Sequence, residues 1–487
     1  MFHISDVKKY MRCRRLYCLD QFAERKPFRP FVRLDEQVSE LVARKLGVTD
    51  PFIGSIGDDA GKALAAMEDH DWLIKARFEY DRLRVKVPFL HRNEDGWDLY
   101  FMFIGLYPHH NDMLFYCSMV WVLDHLDIKL KNMYVVHLNS EYVRQDELDV
   151  DQLFIVSDSF YNGKNNPTIP VVKAVRSKMQ NIQPLLAEME AGFDEIPAPV
   201  RTQHCTGRQK CSYYEECFPQ EAIQDDNSIL TLIGAQHRYE MQNEGISYLK
   251  DADEKRIEGS KQQYAQIMAD RQGGLYCDKL ALQSWLKRLK YPITCIDFEW
   301  ERYAIPPYPG MHPYDVLLFE YSIHIIHEDH TVDQKVYLSI HDQREDFARS
   351  LLNDIPKEGS VLAYNAEGAE KIRINELAET FPQYRDELLA VNERMEDLQL
   401  PFESGMVYDV RMRGQWSLKK IMAMMDDPGY QDLDIQQGMD AVFEWRRLDE
   451  AGELDDSDPR VQELKDYCGM DSYAMTVVLE WLYEISR

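Results

Sequence analysis

Long apolar runs are missing from this chain of 487 residues. The longest, around Met113–Leu123, falls well short of the ~20 residues a membrane-spanning helix needs, so no membrane association is expected. The first turns carry Asp6, Lys8 and Lys9 with no hydrophobic run behind them, which argues against a secretory leader; a cytoplasmic protein is the simple expectation. Cysteine is sparse and odd in number, nine in all. That disfavours a disulfide framework and favours metal ligation or burial. Internal repeats and low-complexity segments are lacking too. Positive charge is in deficit, 56 Lys and Arg against 84 Asp and Glu, a net −28. Phosphate binding rests on Lys and Arg, so a histone-like coat on nucleic acid is excluded, whereas a local basic groove is not.

The deficit is uneven. Residues 1–227 hold 28 basic and 35 acidic side chains, and the remainder 28 and 49. In the opening 33 residues the sign reverses: Lys8, Lys9, Arg12, Arg14, Arg15, Arg25, Lys26, Arg29 and Arg33 face only Asp6, Asp20 and Glu24. Three regions follow from pattern. Residues 1–225 have helical ends around a β-rich middle, with Ala76–Leu90, Trp97–Leu106 and Asn132–Leu138 reading as strands and Met113–His125 as a buried helix. Residues 226–288 are polar with helical period and read as a helical connector. Residues 289–487 read as an α/β domain: strands at Ile293–Trp300, Leu317–His327, Asp333–Ser339 and Val361–Tyr364, helices at Arg344–Asp354 and Ala369–Glu379, and a mainly helical end.

The strand ITCIDFEW sets Asp297 and Glu299 two apart, on one face. Two carboxylates sharing a face repel and are costly to desolvate unless a cation lies between them, and all-oxygen ligands suit Mg²⁺ or Mn²⁺. In LKDYCGMDS, Tyr467 and Asp471 are four apart and share a helix face, one metal ligand and one hydroxyl able to orient water. VLAYNAEGAE adds Asn365 and an acid opening a helix. Four carboxylates holding two cations about 3.5–4 Å apart hydrolyse phosphodiesters. The cysteines also cluster. HCTGRQKCSYYEEC contains Cys205, Cys211 and Cys217 at equal spacing, and Cys13 lies in KKYMRCRRLYC. Four thiolates suit Zn²⁺ or an iron–sulfur cluster, which spacing alone does not separate.

The order D-x-E, N-x-x-(F/Y)-(D/E), Y-x-x-x-D resembles the tyrosine-bearing branch of the DEDD exonucleases. With YPITCIDFE, AIPPYPG, FEYSIH, YNAEGAEKIRINELA and YCGMDSYAM in order, the chain is similar to a bacterial uncharacterised-domain family. In that family a DnaQ-like exonuclease domain follows a RecB-like iron–sulfur module. The resemblance implies a RecB-type PD-(D/E)XK-like N-terminal module and a ribonuclease H-like (DnaQ-type) C-terminal domain. Asp297, Glu299 and Asp471 would be metal ligands and Tyr467 would orient the water. Glu370 would be the remaining ligand, with Glu367 and Asp397 as rivals, because the acid here lies five rather than four residues after Asn365. Cys13, Cys205, Cys211 and Cys217 would carry a [4Fe–4S] cluster, with zinc as the alternative and Cys18 as a rival to Cys13.

The same resemblance places an Asp, an E-x-K pair and a Gln where this chain has Pro88, Phe101, Phe103 and Met119, so the first module is expected to have lost its own cleavage. A metal-dependent 3′–5′ exonuclease acting on DNA or RNA is the leading expectation, with an inactive first module that binds the strand. Phe298, Trp300 and Tyr303 are candidates for stacking on bases. The alternative is a non-catalytic iron–sulfur subunit of a DNA-repair or phage-defence complex, whose acidic surface would meet a protein partner.

Overall fold

The computed structural model describes every residue except 23–31, 33–37, 194, 203, 206–209, 220–222, 224, 235–236, 258, 426–428, 433–434 and 436–437. Arg25, Lys26, Arg29 and Arg33 of the basic opening segment therefore lie outside the described residues. The protein is mixed α/β, and its chain forms two compact units, Met1–Pro219 with Arg302–Asp315, and Gln220–Glu301 with Val316–Arg487. Among the described residues no helix is long and apolar enough to cross a membrane.

The first unit begins with β1 (Phe2–His3), α1 (Ile4–Arg12) and α2 (Arg14–Phe22), the two helices parting at Cys13, which is extended at φ −167°. Then come α3 (Val38–Lys45), β2 (Phe52–Ile53), α4 (Ala60–Asp69), β3 (Trp72–Tyr80), β4 (Leu83–Asn93), β5 (Gly96–Met102), α5 (Met113–His125), β6 (Leu130–Leu138), α6 (Val150–Leu153) and β7 (Phe154–Ser157). The small hairpin β8 (Ser159–Tyr161) and β9 (Pro167–Pro170) precedes α7 (Val171–Lys178), α8 (Gln183–Ala191) and α9 (Tyr214–Cys217). The main sheet runs β2-β3-β4-β5-β6-β7, with β1 also paired to β4. Asp81 and Arg82 close the β3–β4 hairpin with positive φ, 39° and 72°, the twist that two-residue hairpins need. On β4, Leu83, Val85 and Val87 are buried while Arg84 and Lys86 are not, the alternation of a half-buried strand. Helix α5 is buried all along Tyr116–Leu123, as its unbroken apolar run requires. Ala304 and Ile305 join this unit's core beside Phe89, Trp72 and Leu138.

The second unit holds α10 (Arg238–Asn243), α11 (Lys261–Arg271), β10 (Leu275–Cys277), α12 (Lys279–Leu286), β11 (Ile293–Arg302), β12 (Val316–Ile326), β13 (Val332–Leu338), α13 (Arg344–Asp354), β14 (Ser360–Ala363) and α14 (Glu370–Thr380). It continues through α15 (Arg385–Glu393), β15 (Met395–Asp397), α16 (Leu400–Glu403), β16 (Val407–Asp409), α17 (Leu418–Met422), α18 (Gly438–Ala451) and α19 (Pro459–Ser486). Residues 226–288, which read as a connector, lie within this unit. Ile229, Leu232, Met241 and Leu249 form a small core with Ile267, and Leu282 and Trp285 pack under the carboxy-terminal helix. The helical period was real, but its apolar face is covered.

The five-stranded sheet runs β13-β12-β11-β14-β15, so β11 is central. It pairs in parallel with β14 only over Ile293–Cys295, and everything beyond Cys295 projects past β14. The chain continues from β11 to β12 on one side and later returns to β14 on the other. Such a reversal of strand order opens a crevice at the strand ends. Helix α19 starts where Asp458 caps the Arg460 N–H at 2.9 Å and Pro459 takes the first position, a strong helix start. It is fastened to β12 through Ser472, whose hydroxyl meets Ser322 Oγ at 2.8 Å and His324 Nδ1 at 2.7 Å. The third alternate acid of β11, Glu301, is fully buried and paired with Arg446 of α18, with Nη2 donating to Oε1 at 2.9 Å. Removing one partner of a buried ion pair costs about 3–5 kcal/mol, while replacing both with apolar groups is near neutral. Arg446→Met is therefore expected to destabilise the protein by about that amount in urea denaturation, and Arg446→Met with Glu301→Met to recover most of it.

Candidate metal centre

Asp297 and Glu299 sit on the part of β11 that has outrun its parallel neighbour. Asp471 reaches them from the middle of α19. One carboxylate oxygen from each of the three lies within 4.8 Å of the other two, the only such group of His, Cys, Asp or Glu among the described residues. Residues separated by about 170 positions in sequence thus share one small volume. Asp471 is buried and the other two are half-buried. Desolvation and mutual repulsion, Asp471 foremost, hold the carboxyl groups of Asp297 and Glu299 well above the usual range. Burial pushes Asp471 up to about 6, against hydrogen bonding from Tyr430 and the nearby charge of Lys419.

Tyr467, one turn before Asp471, faces the same volume and is 3% exposed. Its hydroxyl accepts from Lys419 Nζ at 2.8 Å and hydrogen-bonds Asp471. Lys419 lies over the rings of both Tyr467 and Tyr430, 4.6 and 4.9 Å from their centroids. The Tyr430 hydroxyl donates to Asp471 Oδ1. Gly438, the first residue of α18, completes the wall. A Cβ there would stand 3.5 Å from Tyr467 Oη and 3.8 Å from Glu299 Oε1, so the absent side chain keeps the site open.

Glu370 stands at the first turn of α14, 3% exposed, with Oε2 unpartnered. It lies outside the tight group of three, although its charge helps to raise Asp297; burial lifts its own carboxyl to about 8. The extra residue after Asn365 is absorbed by a tight turn. Asn365 takes φ +65°, and the N–H groups of Gly368 and Ala369 return to its carbonyl at 2.9 and 3.1 Å. That turn puts Glu370, not Glu367, at the helix start facing inward. Glu367 is exposed and paired with Lys371. Asp397 uses Oδ1 to accept from Asn365 N–H at 3.0 Å and Gln399 N–H at 2.8 Å, which fixes the turn. Phe298 is a core residue against Phe347, Trp300 lies beneath Arg373, and Tyr303 is buried in the first unit.

Sequence reasoning missed Lys419, Tyr430 and Gly438, for which no spacing gave a signal. It also missed Glu320, and there a signal existed: a lone acid in the apolar strand VLLFEYSIHII. Glu320 is fully buried with neither carboxylate oxygen partnered, and desolvation raises it well above the usual range. Orphaned buried oxygens at Glu320 and Glu370, beside three converging carboxylates, are the donor chemistry that a hard divalent cation satisfies.

In the first unit, Cys13, Cys205, Cys211 and Cys217 line one small cavity of about 20 Å³. Cys18 is not among its lining residues. The sulfurs accept hydrogen bonds from Leu16 N–H to Cys13 at 3.5 Å, Thr202 N–H to Cys205 at 3.4 Å and Arg15 Nε to Cys217 at 3.2 Å. Arg12 also lines the cavity and donates to the His204 carbonyl. The remaining described cations of the basic opening are engaged as well: Lys8 with Asp112, Lys9 with Asp20 and Arg14 with Glu188. Phe101 is fully buried against Tyr116, and Phe103 packs partly buried on the same core. Pro88 and Met119 line a separate cavity that has no carboxylate among its described lining residues.

A family model described as a domain of unknown function (DUF2779) matches residues 294–417. That span includes Asp297, Glu299, Glu320 and Glu370 and stops before Tyr467 and Asp471. No curated protein and no solved structure matches the chain.

The raised carboxyl groups fix a pH dependence. A group whose folded pKa lies above its ordinary value contributes stability at low pH that is lost as pH rises through the folded value. For Asp471 and Glu370 these values are about 6 and about 8. The metal-free protein is therefore expected to lose melting temperature from the ordinary carboxyl values of 3.8 and 4.5 up to about pH 8, the Asp471 share being lost by about pH 6. Mn²⁺, which binds the deprotonated carboxylates, is expected to restore more stability at the upper end than at the lower. Differential scanning fluorimetry with EDTA or Mn²⁺ reads both trends, and a Mn²⁺ effect independent of pH would contradict them.

Proposed function

We propose that the second unit is a divalent-metal-dependent 3′–5′ exonuclease of the ribonuclease H-like, DnaQ-type class, acting on DNA or RNA. The observation that carries this reading is the convergence of Asp297, Glu299 and Asp471 within 4.8 Å beside Tyr467. Asp297 and Glu299 from the central strand and Asp471 from α19 would hold the cations, with Glu370 as the fourth carboxylate. Mg²⁺ or Mn²⁺ bound there supplies an activated water and neutralises charge on the scissile phosphate. Tyr430 and Tyr467 both hydrogen-bond Asp471 and hold its carboxylate beside Asp297 and Glu299. Tyr467, its hydroxyl already accepting from Lys419, has its proton left to direct at a water or at a carboxylate. Lys419 places positive charge at the edge of the acid group, where it counters repulsion now and would face phosphate when a strand is bound.

The first unit is read as a RecB-like module without cleavage of its own, since apolar Pro88, Phe101, Phe103 and Met119 stand where metal-binding and water-orienting groups are expected. Its four cysteines fit an iron–sulfur cluster better than zinc. Zn–S bonds of about 2.3 Å put tetrahedral sulfurs about 3.8 Å apart, whereas no three of these thiols, all among the described residues, come within 4.8 Å of one another. Three N–H···S hydrogen bonds and two flanking arginines stabilise thiolates and tune a cluster. A cluster there would tie the α1–α2 junction to the end of the unit.

The second reading, a non-catalytic iron–sulfur subunit of a repair or defence complex, draws on the net charge of −28. One set of assays separates the two. Incubated with Mn²⁺ and 5′-labelled single strands, the full chain is expected to shorten them stepwise from the 3′ end. Asp297→Asn or Asp471→Asn should abolish this, Tyr467→Phe should slow it about 10²-fold, in the range for a positioned proton-transfer group, and Gly438→Val should impair it without lowering the melting temperature. Shortening that survives both Asp→Asn changes would overturn the assignment. Anaerobically purified protein is expected to be brown with about four irons per chain, as a [4Fe–4S] cluster requires, and Cys211→Ser to lose that iron. Stoichiometric zinc instead would refute the cluster.

A further inference from the structure

A second cavity in the first unit, about 430 Å³, is lined in part by residues of β3 and β4. Its wall includes Lys8, Lys75, Arg84 and Lys86 and, among the described residues, no carboxylate. Lys8 and Arg84 are engaged with Asp112 and Glu79. The side-chain ammonium groups of Lys75 and Lys86 have no hydrogen-bond or ion-pair partner among the described residues. They belong to one sheet face: Arg77 pairs directly with Lys86 and Glu79 with Arg84 across the antiparallel register, which sets Lys75 opposite Pro88. Arg77 thus adds a third positive charge to the stripe, and its guanidinium donates to the Lys75 carbonyl at 2.9 Å.

Lys75 is also strained. Its φ is +52° inside a strand, a conformation that is strained for a lysine and collects at ligand sites. Gly54 accommodates the bend, since a Cβ there would come within 2.5 Å of the Lys75 carbonyl. Partial burial, and after it the like charges of Arg77 and Lys75, lower the pKa of Lys86. The lining also has an apolar, partly accessible part with Phe115 and Met102, and Lys8 lies over the Phe115 ring, 5.7 Å from its centroid. Cations beside a partly accessible aromatic ring suit an unpaired strand, phosphates on the first and a base on the second; a duplex keeps its base faces stacked.

We propose that this cleft binds a single nucleic-acid strand, with phosphates at Lys75 and Lys86 and an unstacked base at Phe115. The proposal deepens the nuclease reading and rests on it for the identity of the polyanion. It turns the vanished catalytic pocket into a holding site: Pro88 and Met119 remove the metal, and the surrounding cations remain.

The test measures anisotropy of a fluorescein-labelled oligothymidylate on full-length Asp297→Asn protein, which separates binding from cleavage. Two variants avoid the risk of misfolding. Lys75→Gly removes the charge and relieves the positive φ, and Lys86→Glu changes an exposed, unpaired side chain. Each is expected to raise Kd by roughly tenfold and to lower the salt slope by about one, the signature of a lost phosphate contact. With the carboxylates intact, both variants should hydrolyse thymidine 5′-p-nitrophenyl phosphate in Mn²⁺ at the parental rate, because this substrate has no strand to hold. Unchanged Kd in both variants would overturn the proposal, as would competition by free thymidine monophosphate or by duplex as effective as by the single strand. A parent chain that fails to hydrolyse the small ester would sink the nuclease reading alone, and the anisotropy arm would still decide the cleft.

Discussion

Repulsion among buried carboxylates is the constraint around which the second unit is organised. Asp297, Glu299 and Asp471 are drawn into one volume by a central strand and a long terminal helix, and Glu370 and Glu320 stand nearby with unpartnered oxygens. Alone, such a group is held together by protons, and its carboxyl groups are raised accordingly. The fold resists this repulsion with packing. Ser322, His324 and Ser472 fasten α19 to β12, and Glu301, next in line on β11, is neutralised by Arg446. Lys419, the cation beside Asp471, also positions both tyrosines. An arrangement that costs stability and leaves acceptors unsatisfied is what a site looks like when its ligand carries the compensating charge.

The first unit solves a different problem with the opposite sign. Its described opening cations are consumed by acids and by the cysteine cavity, so the basic character visible in the first 33 residues does not translate into a free surface there. Positive charge is left uncompensated on the β3–β4 face, within a chain of net charge −28. Local concentration of charge, and not its sum, decides where a polyanion could settle.

Much of this was legible in the sequence. The alternation in Ile293–Trp300 placed both acids on one face, and the helical period in LKDYCGMDS put Tyr467 with Asp471, because strand and helix periods are local properties. Helix α5 and helix α13 fall on the spans their apolar patterns mark. What resisted reading depends on tertiary contact. Residues 226–288 looked like a solvated spacer since their few apolar positions, such as Ile229 and Trp285, are spread thinly among polar ones. The turn at Asn365 selected Glu370 over Glu367 through a positive φ that an Asn only hints at. Lys419, Tyr430 and Gly438 come from segments whose approach is set by the packing of α17 and α18. Glu320 was readable in principle, as an acid inside an apolar strand.

The account stands or falls on whether these carboxylates cage divalent cations. An anomalous difference map from a crystal of the full chain soaked in Mn²⁺ tests this most directly. The account predicts density bridging Asp297, Glu299 and Asp471 at coordination distance of about 2.0–2.2 Å, as hard cations take from carboxylate oxygens, and none in Asp297→Asn crystals. A map without manganese at that position, at a concentration that supports nucleotide release in solution, would contradict it.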